Sequence, residues 1–237
     1  MKVITFSSLK GGTSKSTLVL STAGRKGLKH KILVLDLDEQ RNVTSVLRSE
    51  RDTYTIYDVL AHKTSIKEAI KHSQFKNVDY ISGSLKINDV NVDKLALKKL
   101  LQDVYNDYDF VLIDTPPSIN SVVQSAYIAS DLIFIPSILD KFSSANLMTV
   151  VGEIKKLNQQ ASIKVIPTMK IKNSKLHTQV HNELKSFIDS REDISITNSL
   201  PNSIEISNQM MENKLLVNSN KVNRLKTALK KLIDKEI

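Results

Sequence analysis

Three observations predict an α/β fold, a single domain built on a mostly parallel, twisted sheet with helices on both faces. Short β-branched runs alternate with longer amphipathic stretches along the chain. Several runs are continuously apolar, as strands buried on both faces are. No proline- or glycine-rich linker, internal repeat or low-complexity tract divides the 237 residues, so one domain over 1–237 is expected.

In chain order, KVITFS (2–7) reads as a strand and STLVLSTAGRKG (16–27) as a helix ending at Gly27. KILVLDLD (31–38) is an apolar run closing on carboxylates. Residues 40–76 read as short helices (NVTSVLR, TIYDVL, SIKEAIK) inserted between two strands. NVDYISG (77–83), YDFVLIDTPP (108–117), SDLIFIPS (130–137) and SIKVIPT (162–168) repeat the strand theme. VDKLALKKLLQDVYND (92–107), SSANLMTVVGEIKKLNQ (143–159) and the final VNRLKTALKKLIDKEI have helical periodicity. In such sheets ligands bind beyond the carboxyl ends of the strands, where SSLKGGTSKST, DLDEQ and DTPPS all fall.

Composition narrows the chemistry. Cysteine is absent, which removes disulfides, thiolate metal sites, iron–sulfur ligation and cysteine nucleophiles. The five histidines form no HxxxH or HExxH pair, against a histidine zinc site. No apolar run approaches the roughly 18 to 20 residues that span a bilayer, and MKVITFSSLKGG turns polar too soon for a signal peptide. A cytoplasmic location is expected. The net charge of +9 favours polyanionic partners, though lysines also serve solubility.

The loops carry the chemistry. A glycine-rich turn between strand and helix sets backbone N–H groups around a phosphate, at the positive end of the helix dipole. A lysine at its end reaches the β/γ-phosphates and the next hydroxyl ligates magnesium. Gly11, Gly12, Lys15 and Ser16 occupy those places, and Thr17 is placed to serve a further phosphate oxygen. The standard G-x-x-x-x-G-K-[ST] pattern wants glycines at Leu9 and Ser14, so a plain tight turn at a helix start is the alternative. Asp114 ends FVLIDTPPS, where a carboxylate can hold magnesium through water. Asp36 and Asp38, two apart, lie on the same side of their strand end. Taken singly, each aspartate could instead cap the following helix.

Together these residues resemble the ParA/MinD ATPases. KGGTSKST looks like their deviant Walker A motif, K-G-G-x-G-K-[ST]-T, and LVLDLDEQRNVTSVL like their D-x-D-P-Q-G-N-A-T segment. FVLIDTPPS resembles their Walker B, IFIPSILDKFSSANLMTVV the strand and helix after it, and LPNSIEISNQMMENKLLVN the loop near the adenine. The likeness covers nearly the whole chain and is nearest to small ParA-type partition ATPases. It implies a P-loop NTPase without an N-terminal helix-turn-helix domain, with ATP and Mg2+ as cofactors. Residues 10–17, that is Lys10, Gly11, Gly12, Thr13, Ser14, Lys15, Ser16 and Thr17, would bind the nucleotide, with Met169 and Pro201 at the adenine. Lys15 would act in cis, and Lys10 would reach the phosphates of a partner subunit in a nucleotide-sandwich homodimer. Asp38 would orient the attacking water; Ser16, Asp36 and Asp114 would serve the metal.

The chain departs from that family at four places. Ser14 replaces a glycine, Glu39 and Arg41 replace the proline and glycine after Asp38, and Asn202 stands where many relatives carry arginine.

The resemblance also implies non-specific DNA binding by the ATP dimer, a ParB-like or centromere-binding partner that stimulates hydrolysis, and association with the nucleoid. Residues 151–185 hold seven lysines against Glu153 and Glu183, and the C-terminus adds Lys221, Arg224, Lys226, Lys230 and Lys231. Lys172, Lys175, Lys185 and Arg224 are the candidate DNA contacts; a solvated helix face is the alternative for each. A MinD-like, membrane-associated positioning ATPase is the competing function, because Leu225, Leu229, Leu232 and Ile233 form a stripe opposite lysines. The absence of aromatics after Phe187 favours core packing for that stripe and no membrane partner. The nitrogenase iron protein branch is excluded by the lack of cysteine. Ligases related to dethiobiotin synthetase would need a substrate pocket that the sequence does not reveal.

Overall fold

The computed structural model describes residues 1–140, 143–203 and 224–237, without the side chains of Ser143 and Ser144. The strands are β1 (Lys2–Phe6), β2 (Ile32–Asp36), β3 (Lys71–His72), β4 (Val78–Ile81), β5 (Phe110–Asp114), β6 (Leu132–Ile138), β7 (Ser162–Thr168) and β8 (Ile194–Ile196). They form one sheet in the order β3-β4-β2-β5-β1-β6-β7-β8. Every pairing is parallel except the short β3–β4 edge.

The helices are α1 (Lys15–Lys26), α2 (Asn42–Leu47), α3 (Ile56–Leu60), α4 (Ile66–Ala69), α5 (Ala96–Leu100), α6 (Ser121–Ala129), α7 (Ser143–Leu157), α8 (Lys175–Asp189) and α9 (Arg224–Glu236). Alternate strand residues feed opposite faces of the sheet. Ile4, Ile32 and Val34 pack with α1, α2 and α9. Val3, Leu33 and Leu35 pack with α3 to α6, and Ile133, Ile163 and Val165 with α6 to α8. This two-sided burial explains the continuous apolar runs. The stripe of α9 is core: Leu225, Leu229, Leu232 and Ile233 are all buried. Among the described residues no helix is long and apolar enough to cross a membrane.

Two differences from the expected elements have local causes. The helix expected over 92–107 begins only at Ala96, because the Asp93 carboxylate takes the Leu95 N–H at 2.9 Å and its carbonyl takes that of Ala96. It then tightens into a 3-10 turn over Leu101–Val104. SIKEAIK is helical only over Ile66–Ala69, and Lys71 already belongs to the edge strand β3. The 40–76 insertion otherwise has the expected short helices.

Strand order positions the site. β2, β5 and β1 are neighbours, with Asp36 opposite Asp114 and Phe6 opposite Asp114 in register. The loops after these three strands therefore open side by side at one sheet edge.

Candidate active site

The turn after β1 leads into α1, whose first residue is Lys15. Gly12 has φ of 70° and Ser14 φ of 80°, both left-handed. Ser14, in the glycine position of the resembled motif, thus adopts the conformation that glycine tolerates best. Its side chain makes no cap to α1, so the backbone N–H groups of the first turn point outward unclaimed by it. Lys15 is buried, and its Nζ donates to Ser8 O at 3.4 Å. Burial lowers its pKa, while Asp114 and Asp38 pull it back up.

Ser16 Oγ donates to Asp114 Oδ2 at 2.6 Å, tying the start of α1 to the end of β5. Asp114 is fully buried, and its Oδ1 has no partner. Burial first, and then Asp36 nearby, raise its pKa well above the usual carboxylate range. An orphaned buried oxygen beside a serine hydroxyl fits a Mg2+ ion, which would be held by Ser16 directly and by Asp114 through water. Among the described residues no group of three or more His, Asp or Glu side chains could hold a metal alone, so nucleotide phosphates would complete its ligands.

Asp36 is committed to its neighbours. Its Oδ2 accepts from Thr44 N at 2.8 Å and Thr44 Oγ1 at 2.7 Å, and its Oδ1 from Asp38 N at 3.2 Å. Burial pushes its pKa up to about 6 against the pull of those bonds. Thr44 Oγ1 in turn accepts from Gly83 N at 2.8 Å. A Cβ on Gly83 would lie 3.1 Å from the Asp36 and Asp38 carbonyl oxygens, so the residue must be small. Asp38 is buried, accepting from Gln40 N at 3.0 Å.

Lys10 stands apart from this group. Its Nζ is ion-paired to Asp140, beyond the end of β6, and the side chain is 45% exposed. Gly11 and Thr13 complete the turn, Gly11 exposed and Thr13 buried with its hydroxyl towards Lys10 O.

On the other side of α1, Ser14, Thr17, Met169, Pro201 and the buried Thr168 line one cavity. Lys170 N donates to Leu200 O at 2.9 Å and Asn202 N to Lys170 O at 3.2 Å, which joins the Met169 and Pro201 segments. Thr168 Oγ1 is buried without a partner. Residues 204–223, the rest of the loop expected near the adenine, together with Lys221, lie outside the described residues. Of the candidate DNA contacts, Lys172 and Arg224 share a cleft with Lys170. Lys175 starts α8, and Lys185 lies ten residues on, about 15 Å along the helix, outside that cleft.

The structure thus brings together Lys15, Ser16, Asp36, Asp38 and Asp114, and separately Met169 with Pro201. Thr44, Gly83, Asp140 and Thr168 are additions. Thr44 had a signal in the sequence, the last residue of the DLDEQRNVT segment; Asp140 had none, since its partner is 130 residues away.

Comparison with known proteins places the chain among relatives. The family model described as an AAA domain matches residues 1–166. The virulence plasmid ParA family protein pGP5-D of Chlamydia psittaci is 34% identical over 160 residues, covering 63% of this chain and 62% of that protein. The chain spans between half and two thirds of the length of several curated relatives it matches. A Borrelia burgdorferi B31 protein assigned to plasmid partition, solved with AMPPNP, superposes with a TM-score of 0.84 at 23% identity, covering 98% and 97% of the two chains. The septum site-determining protein MinD of Pyrococcus horikoshii, solved with Mg-ADP, gives 0.81 at 22% identity, covering 98% and 94%.

Proposed function

Since this chain belongs to the AAA-domain family of ParA/MinD-type P-loop ATPases, we propose that it is an ATP-dependent DNA partition ATPase. The observation that carries the reading is the convergence of Lys15, Ser16, Asp38 and Asp114 where three adjacent parallel strands end.

In this reading the first turn of α1 and the backbone around Gly11 and Gly12 bind the phosphates. Lys15 places its charge on the β/γ-phosphates, from a buried position where Coulomb attraction is little screened. Mg2+, when bound, neutralises phosphate charge in the transition state. Ser16 and Asp114 would hold it. Asp38 positions the attacking water, and the Asp36–Thr44–Gly83 bonds fix the backbone that carries Asp38. Met169 and Pro201 flank the base.

Lys10 completes a second active site across an ATP-bound homodimer, which it can do only by leaving Asp140. The dimer binds DNA without reading sequence, with Lys172 and Arg224 in one cleft. A ParB-like or centromere-binding protein stimulates hydrolysis and releases the dimer, so that the nucleoid-associated protein moves or positions cargo. The α9 stripe that suggested a membrane-bound reading is part of the core, so it lends that reading no support.

The test is DNA binding with ADP, ATP and a slowly hydrolysed analogue, over a salt series and beside ATP turnover. ATP-dependent, sequence-independent, salt-sensitive binding is expected. Binding to anionic liposomes but not DNA would overturn the reading.

A further inference from the structure

Glu39 and Arg41, which stand where the family pattern has proline and glycine, each have a partner outside their own loop. Arg41 precedes α2 with φ of 56°, in the left-handed region that suits glycine. Its N–H donates to Asp38 O at 3.0 Å. Its guanidinium pairs with Asp52, whose other carboxylate oxygen accepts from Ser82 Oγ. Ser82 is fully buried just past β4, beside the Gly83 that bonds Thr44. The pair is half-sheltered: Asp52 is 11% exposed and Arg41 29%.

The opposite flank is tied as well. Glu39 Oε2 accepts from Asn88 Nδ2 at 2.6 Å, and Asn88 Oδ1 accepts from Asn120 Nδ2 at 3.2 Å. Asn120 is the N-cap of α6, its Oδ1 accepting from Val123 N at 3.0 Å. The loop from β2 to α2 is therefore anchored to the end of β4 on one side and to the start of α6 on the other.

A proline would restrict this loop from within, by fixing its own φ. Here the restriction comes from side chains that reach across to neighbouring elements. We propose that Arg41, through Asp52 and Ser82, and Glu39, through Asn88 and Asn120, are positioning residues that hold Asp38 in its working orientation. The inference rests on the ATPase reading for what Asp38 does, but not for the tethers themselves. Arg41 is the stronger anchor, since its partner is the more buried and both members of the pair carry charge, whereas only one member of the Glu39–Asn88 bond does.

Two readouts separate the tether from the chemistry. Gln40, Arg41 and Thr44 amides are bonded to Asp38 Oδ1, Asp38 O and Asp36 Oδ2, so their hydrogen exchange reports loop opening in the free chain. Arg41→Gly removes the guanidinium and also frees the backbone at this left-handed position, whereas Asp52→Asn leaves the loop's own residues in place and removes the charged partner that Arg41 shares with Arg48. Both variants should raise exchange at these amides about tenfold. Both should lower kcat for ATP about five- to tenfold with KM within about twofold, as loss of a transition-state contact does. Arg41→Lys should recover part of the loss, and the double variant should be no worse than either single one. Asn88→Ala should act in the same direction and less.

Wild-type exchange in Arg41→Gly would overturn the tether, whatever the turnover. Raised exchange with unchanged kcat, or with a loss confined to KM, would overturn the positioning role. A wild-type chain without ATP turnover would overturn the ATPase reading instead, while the exchange measurement still decides the tether.

Discussion

At Ser14 the backbone takes φ of 80° immediately before the buried Lys15, so the phosphate turn carries an L-residue where glycine fits more easily. Such a residue costs on the order of 1 kcal/mol, and a β-branched one more. Ser14→Gly should therefore keep nucleotide binding and leave stability level or slightly higher, whereas Ser14→Val should lose about 1–2 kcal/mol in denaturant unfolding. Lys15→Ala should weaken ATP binding by about 10- to 100-fold in titration calorimetry, the worth of a charge-assisted contact. Asp38→Ala should still bind ATP but not turn it over.

Asp36 supplies a pH test. Its folded pKa of about 6 lies above the unfolded value near 4, so the folded chain holds a proton that the unfolded chain has lost. Its contribution to stability is full below about pH 4 and is lost as pH rises through about 6, a change of about 3 kcal/mol. Asp114 acts in the same direction. Asp36→Asn should flatten the slope of unfolding free energy between about pH 4 and 6 relative to wild type; an unchanged slope would refute the assignment. Lys15, Ser16, Asp36, Asp38 and Asp114 were readable from sequence because each sits at a fixed offset from the end of an apolar run. Lys10's partner was not, since the Lys10–Asp140 pair depends on β1 lying beside β6.

Among the elements, α1 is seated closely at its C-terminal end. Gly27 caps it where a Cβ would meet Ala23 O at 2.7 Å, Val78 Cγ2 at 2.8 Å and Lys76 O at 3.0 Å. Backbone atoms cannot step aside as a side-chain tip can, so Gly27→Ala should cost about 1–3 kcal/mol, read from the shift in unfolding midpoint. The glycine is required by close approach rather than by its φ, which is an ordinary −59°. The long buried strands and α1, α7 and α9 followed from periodicity and runs of apolar residues. β3 and β8, of two and three residues, did not, because so short a strand exists only through its neighbour's hydrogen bonds. The late start of the 92–107 helix came from one side chain, Asp93, competing for backbone N–H groups.

For the whole molecule, charge and assembly are the measurable properties. If Lys172 and Arg224 both touch phosphates, the double alanine variant should lower the slope of log K against log salt by about 1.8. An unchanged slope would remove this cleft from the DNA surface. Lys10→Ala should keep some nucleotide binding and lose ATP-dependent dimerisation in analytical ultracentrifugation; a fully dimeric, active variant would sink the cross-subunit role.

The seat of α9 bears on how the chain reaches this state during synthesis. Leu225, Leu229, Leu232 and Ile233 close the same core as Ile4, Leu18 and Val19 beside the phosphate turn, and Arg25 is paired with Asp234 by bonds of 2.8 and 2.7 Å. These contacts join the first helix to one about 200 residues later. A ribosome adding roughly 5–20 residues per second leaves the apolar flank of α1 uncovered for about 10 to 40 seconds before α9 emerges. The nucleotide-binding end of the protein is thus written about 200 residues before the helix that seals it, and a nascent chain stopped before Arg224 should be a client for chaperones.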